Sequence, residues 1–168
     1  MSNQTTNQTT NQSTAATDYL ETNYKRFLDE LMSLVEIPSI STQPQRVEDV
    51  RRVATWLQRR LVSLGLDTHL LEHPDGNHPL VYAHHHVKDG APTVLLYGHY
   101  DVQPAVVEDG WDTDPFKPVI KGDKLYGRGT ADSKVNVMSQ LAALEALIRT
   151  DGLDVNVIVA FEGEEESG

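Results

Sequence analysis

A chain of 168 residues is about the size of one domain, and 39% hydrophobic with 23% charged residues are ordinary proportions for a globular protein. Fourteen Lys and Arg against 25 Asp and Glu leave a formal charge of −11, which argues against a general nucleic-acid or anionic-membrane partner, since both need a basic face. There is no cysteine, so disulfides, thiolate catalysis and Cys-ligated zinc are excluded, and any transition-metal site must be built from His, Asp and Glu.

Residues 1–17, MSNQTTNQTTNQSTAAT, are uncharged, almost without large apolar side chains and repetitive. Such a tract buries too little surface to offset its ordering entropy, so a disordered polar tail is expected there, with the folded part covering 18–168. The tail lacks the basic start and apolar middle of a secretory signal. No run of 18 apolar residues offers a membrane span, and a cytoplasmic protein is expected.

From Asp18 to about Ile37, apolar residues recur at three- and four-residue steps through Leu20, Tyr24, Phe27, Leu28, Leu31, Leu34 and Val35, predicting an amphipathic helix stopped by Pro38. A second helix is expected from about Gln45 to Leu64, with Gly65 at its C-terminal cap. The period then changes. Short strands are expected near Thr68–Glu72 and Leu80–Val87, bounded by the turns PDGNHP and KDGAP. The run TVLLY (93–97) reads as a strand buried on both faces, as in a parallel sheet, and Lys124–Tyr126 as a short strand. Ser133–Arg149 returns to helical spacing, and VNVIVAF (155–161) is a second buried strand. The order predicts an α/β domain, an αβα sandwich around a mixed, mostly parallel sheet.

In open α/β sheets chemistry sits just beyond the carboxyl ends of strands, and metal-ligating residue types gather there in this sequence. TVLLY is followed by Gly98, His99, Tyr100 and Asp101, and VNVIVAF by Glu162, Gly163, Glu164, Glu165 and Glu166. GRGTAD places Asp132 at or near the start of the next helix. Carboxylates clustered at a sheet edge repel one another unless a cation sits among them. In H-x-D spacing the two side chains point the same way, so Asp101 can orient the His99 imidazole. Of adjacent Glu residues, one can bind metal while its neighbour faces the substrate water as general base. His with carboxylates suits zinc, with manganese or cobalt as alternatives.

Four ordered segments, VLLYGHYDVQP (94–104), DGWDTDPFKP (109–118), KLYGRGTADSK (124–134) and FEGEEESG (161–168), together resemble the family of co-catalytic zinc dipeptidases, aminoacylases and deacylases. That family includes carnosinase, acetylornithine deacetylase and succinyl-diaminopimelate desuccinylase, and the wording here is most similar to the carnosinase-type branch. The resemblance implies part of a zinc-peptidase catalytic domain holding two divalent metal ions. Within it His99 and Glu166 are implied as ligands of one metal each, Asp132 as the bridge between them, Asp101 as the residue orienting His99, and Glu165 as the general base. A frame shifted by one residue would use Glu164 and Glu165 instead.

The implied reaction is hydrolysis of the amide bond of dipeptides or N-acyl amino acids. An amino-acid deacylase and a catalytically incompetent fragment are the alternative readings. Family members are more than twice this length, take further ligands from beyond the equivalent of Gly168, and are often homodimers through another domain, so a weakly metal-binding, poorly active chain is expected. Val135 follows Lys134 where the family usually has Gly. His84, His85 and His86 read as part of an exposed strand, Arg128 as a loop-fixing residue, and Trp111 and Phe116 as packing.

Overall fold

A computed structural model describes the backbone of residues 2–74 and 78–167 and the side chains from Ser13 onward; residues 75–77 of the expected PDGNHP turn lie outside the described residues. Nine regular elements follow in chain order: α1 (Ser2–Val35), α2 (Val47–Ser63), β1 (Asp67–Leu71), β2 (Leu80–His85), β3 (Thr93–His99), β4 (Val119–Lys121), β5 (Lys124–Tyr126), α3 (Lys134–Arg149) and β6 (Asn156–Glu162). Short 3-10 turns cover 44–46, 107–109 and 165–167. Gly65 caps α2 from a left-handed conformation (φ 90°) that a residue with a Cβ rarely adopts. None of the helices is long and apolar enough to cross a membrane among the described residues.

The first helix differs from expectation at its start. It continues through the segment read as a tail, where Ala16 is buried and the Thr17 hydroxyl donates to the Ser13 carbonyl at 2.9 Å. Residues 2–17 contain neither Pro nor Gly, so nothing breaks a helix whose later turns are held by packing.

Four strands form the main sheet in the order β1-β2-β6-β3, and β4 pairs with β5 in a separate ribbon. The pairings β1–β2 and β2–β6 are antiparallel, and only β3–β6 is parallel. The sheet is therefore mixed but not mostly parallel: β6 enters between a local hairpin and β3. The β3 strand lies at the sheet edge rather than buried on both faces, with Leu95 59% and Tyr97 54% exposed.

Alternation explains which face the core occupies. Val81, Ala83, Val157, Val159 and Phe161 point one way and are buried with Phe27, Leu31, Leu34 and Val35 of α1, Val50, Val53, Leu57 and Leu61 of α2, and Val137, Met138, Leu141 and Leu144 of α3. Leu95, Tyr97, Tyr82, His84, Asp67 and His69 point the other way and are exposed or half-buried. The described helices thus cover one face, giving two layers where an αβα sandwich was expected. All three described helices are tied together on that side.

Two buried charges make this helical layer cohere. Glu145 of α3 accepts from Tyr19 Oη (2.7 Å) and Arg26 Nη2 (2.7 Å) of α1 and from Arg60 of α2, whose Nε also donates to Glu30 (3.2 Å). The Lys134 ammonium, at the start of α3, donates to the carbonyls of Leu34 (2.8 Å) and Ile37 (2.6 Å), adding a second donor to groups that already accept from the backbone N–H of Ile37 and Ser39.

Replacing Glu145 with Ala removes one of the two carboxylates that pair with Arg60, whose side chain is only 13% exposed. Urea unfolding should show a loss of about 2–3 kcal/mol, the lower range for a broken buried pair because Arg26 reaches solvent and Arg60 keeps Glu30. A loss under about 1 kcal/mol would remove this network from the account of stability.

Burial pushes the Lys134 ammonium down from its ordinary 10.5 to about 7. Between those values the unfolded chain binds a proton that the native chain does not, so this residue's contribution makes stability rise from about pH 7 towards 10.5 and level off below 7, where both states bind the proton. Chemical denaturation across this range should show a shallower rise in Lys134→Met than in the wild type. Equal slopes would show that the ammonium is not destabilised by its surroundings.

Candidate metal centre

Parallel pairing of β3 with β6 brings two carboxyl ends together, with His99 directly beside Glu162. The ladder extends one step further, as Tyr100 N donates to Glu162 O at 2.8 Å. Segments 99–103 and 162–166 consequently run side by side. Tyr100 turns its ring into the core and donates its hydroxyl to the Pro79 carbonyl, while Ser39 Oγ donates to its carbonyl at 2.8 Å. Gly163 lies against that ring so closely that an added Cβ would fall 2.5 Å from Tyr100 Oη. The close approach requires Gly, and it seats the turn that carries Glu165 and Glu166. Asp132 comes from the other side, immediately before α3, across a cis peptide bond to Ser133.

Three sequence-predicted ligands meet here. One ligand atom from each of His99, Asp132 and Glu166 lies within 4.8 Å of the other two. His99 Nε2 is 3.1 Å from Asp132 Oδ1 and 3.8 Å from Glu165 Oε2. Asp101 is fully buried; its Oδ1 stands 3.2 Å from His99 Nδ1 and its Oδ2 accepts from the backbone N–H of Glu166 at 3.1 Å. Asp132 and Glu165 are exposed and Glu166 half-buried, so the group opens to solvent on its carboxylate side.

The electrostatics favour a cation. With Nδ1–H donated to Asp101, the lone pair of His99 Nε2 faces the Asp132 carboxylate, an arrangement that requires positive charge between them. In the bare protein a second proton meets that need. Burial opposes the imidazolium, but Asp101, Asp132 and Glu165 outweigh it and hold the pKa of His99 above its ordinary value. A divalent ion answers the same need, and the donor set of one imidazole nitrogen and two carboxylates fits one.

The remaining expectations separate by position. Glu164 is half-buried next to the group, whereas Glu166 enters it and Glu165 points towards His99. Val135 packs against the core from the first turn of α3. Arg128 lies with its guanidinium 5.4 Å from the Trp111 ring centroid, and its backbone N–H donates to Pro115 at 2.7 Å. Phe116 is half-buried, and His84, His85 and His86 lie on or just beyond β2, away from the group.

Sequence reasoning missed Gln103, whose Nε2 donates to Glu166 Oε2 at 2.7 Å and so braces that carboxylate. Its place two residues beyond Asp101 was the available signal. Tyr97 was also missed: its hydroxyl bonds Glu162, and that bond with burial pushes the phenol up to about 12.

Residues 95–168 match the family described as Peptidase family M20/M25/M40. The chain is 36% identical over 157 residues to a cysteinylglycine-S-conjugate dipeptidase of Corynebacterium striatum, covering 92% of this chain and 34% of that protein. It is 38% identical over 165 residues to a Cys-Gly metallodipeptidase of Candida albicans, covering 90% and 34%. The crystal structure of human carnosine dipeptidase 1 is similar with a TM-score of 0.85 at 31% identity, over 91% of this chain and 35% of that one. The chain thus spans about a third of the length of these relatives.

A methyl group at Gly163 must displace Tyr100 or the turn that follows. Gly163→Ala is expected to lower zinc affinity about ten-fold or more by calorimetric titration, with helical circular dichroism retained. Unchanged affinity would show that the close packing at Gly163 does not position Glu166.

Proposed function

Because this chain belongs to peptidase family M20/M25/M40, we propose that it carries part of the catalytic centre of a metal-dependent dipeptidase. The observation that supports this reading best is the convergence of His99, Asp132 and Glu166, with Glu165 beside them. Zinc is the proposed metal, with manganese or cobalt as alternatives. His99 and Asp132 would hold one ion, and Asp132 and Glu166 a second. Bound metal supplies Lewis acidity, polarising an amide carbonyl and making water acidic enough to lose a proton near neutral pH.

The protein's own groups do the rest. Glu165, exposed at the mouth of the group, takes the proton from the attacking water and delivers it to the leaving amine. Asp101 keeps the His99 imidazole oriented with Nε2 outward, and Gln103 holds the Glu166 carboxylate in place. Two of the relatives are named for Cys-Gly dipeptide chemistry and a third for carnosine, so short dipeptides are the proposed substrate class.

Co-catalytic ions ordinarily take three protein ligands each, and the proposed set gives each ion two. Zinc should therefore bind this 168-residue chain weakly, and dipeptide turnover should be negligible. In calorimetric titrations, His99→Ala and Asp132→Ala should abolish zinc binding at this group while Glu165→Gln preserves it. In a chain of the relatives' length, Glu165→Gln should reduce turnover of a dipeptide panel by about 10²–10⁴-fold. Zinc binding at this group unaffected by His99→Ala and Asp132→Ala, or full turnover with Glu165→Gln, would overturn the proposal.

A further inference from the structure

The open face of the sheet carries a second grouping of metal-ligating side chains, on β1 and β2. Asp67 and His69 are two apart on β1 and so share a face, and His84 of β2 is the direct cross-strand partner of Asp67. The Asp67 carboxylate lies between the two imidazoles: Oδ1 is 3.0 Å from His69 Nε2, and Oδ2 is 3.7 Å from His84 Nε2. The two contacts use different oxygens of the carboxylate, so a single ion would be enclosed by rotation of the imidazoles about fixed Cβ positions and not by the donors as they stand.

We propose that Asp67, His69 and His84 form a second metal site, for a borderline divalent cation such as nickel, zinc or copper(II). Two imidazoles and a carboxylate form a donor set that such ions prefer over magnesium or calcium. The three side chains are 61%, 55% and 45% exposed, so the imidazoles turn freely towards an ion that bridges them, and open coordination positions remain for water. The strands supply the preorganisation, because the paired backbone fixes all three Cβ positions on one side of the sheet. This site is independent of the group around His99. His84 is in register with Ile158 and, across β6, with Leu95, near the start of β3, whereas His99 ends that strand.

Titration with Ni²⁺ followed by NMR of the histidine rings tests the site in the intact chain, because the paramagnetic ion broadens the rings it binds. In a His99→Asn variant the rings of His69 and His84 should broaden together at the lowest metal concentrations, ahead of those of His73, His78, His85 and His86. Single substitutions His69→Asn and His84→Asn should each weaken this binding at least ten-fold, and Asp67→Asn should weaken it to a lesser degree. His85→Asn and His86→Asn should leave it unchanged. The same loss of one bound ion should appear when His69→Asn is made in the otherwise unaltered chain, so the result does not rest on the His99 variant folding. Broadening confined to His99, or binding at His84 that survives His69→Asn and Asp67→Asn but not His86→Asn, would overturn the proposal.

Discussion

Asp101 has no exposure to solvent, and a buried carboxylate is tolerated only where its oxygens are paired from within the protein. One oxygen faces His99 Nδ1 at the end of β3, and the other accepts the backbone N–H of Glu166. A single buried charge therefore joins two segments distant in sequence and settles what each presents outward: Nε2 of an imidazole on one side, a pair of glutamates on the other. Tyr100 and Gly163 act on the same junction sterically, by ring-to-backbone packing that admits no side chain. This edge of the molecule is closely packed where it is buried and charged where it is open. That combination suits a centre that must hold its donors in place while exchanging ligands with solvent.

The helical layer depends on the same principle at two further points. Glu145 and Lys134 are buried charges of opposite sign on one helix, and each is answered by a different part of α1. Lys134 is also only two residues from Asp132, so the carbonyls that end α1 help to set the start of α3 and hence the place of that carboxylate. Packing alone gives helices some freedom to slide; a charge with hydrogen-bonding partners does not. How much such pairs add to net stability is a separate matter, since their desolvation offsets much of their attraction.

Much of the site was legible because its residues follow strand ends, where alternation and spacing carry directional information. The pairing of His99 with Asp101 needs only two-residue spacing at the end of β3, and Asp132 needs only its place before a helix. The sheet was less legible. TVLLY is apolar on both sides of its alternation, which reads as burial, yet β3 is an edge strand with Leu95 and Tyr97 bare. Local periodicity contains no statement about neighbours, so it could not show that β6 would pair antiparallel with β2. Nor could it show that α1, α2 and α3 would all gather on one face. Gln103 and the Lys134 contacts were missed for a different reason, since they depend on side-chain direction after folding. The start of α1 was set too late because composition speaks for the isolated tract and not for a helix already packed downstream.

The placement of β6 has a consequence for how the chain folds. Its two neighbours both precede it: β2 belongs to a hairpin that can close locally, but among the described strands β3 has no partner until Asn156–Glu162 arrives to lie against Thr93–His99. Loop-closure entropy must be met before those distant pairings stabilise anything. On the ribosome, the chain emerges with β3 unpaired while the whole of α3 is being made, and its apolar residues stay open to other chains throughout that interval. Of the four strands described in the main sheet, the one synthesised after the others is the one that joins them, so these residues acquire their architecture in a late step rather than by gradual accretion.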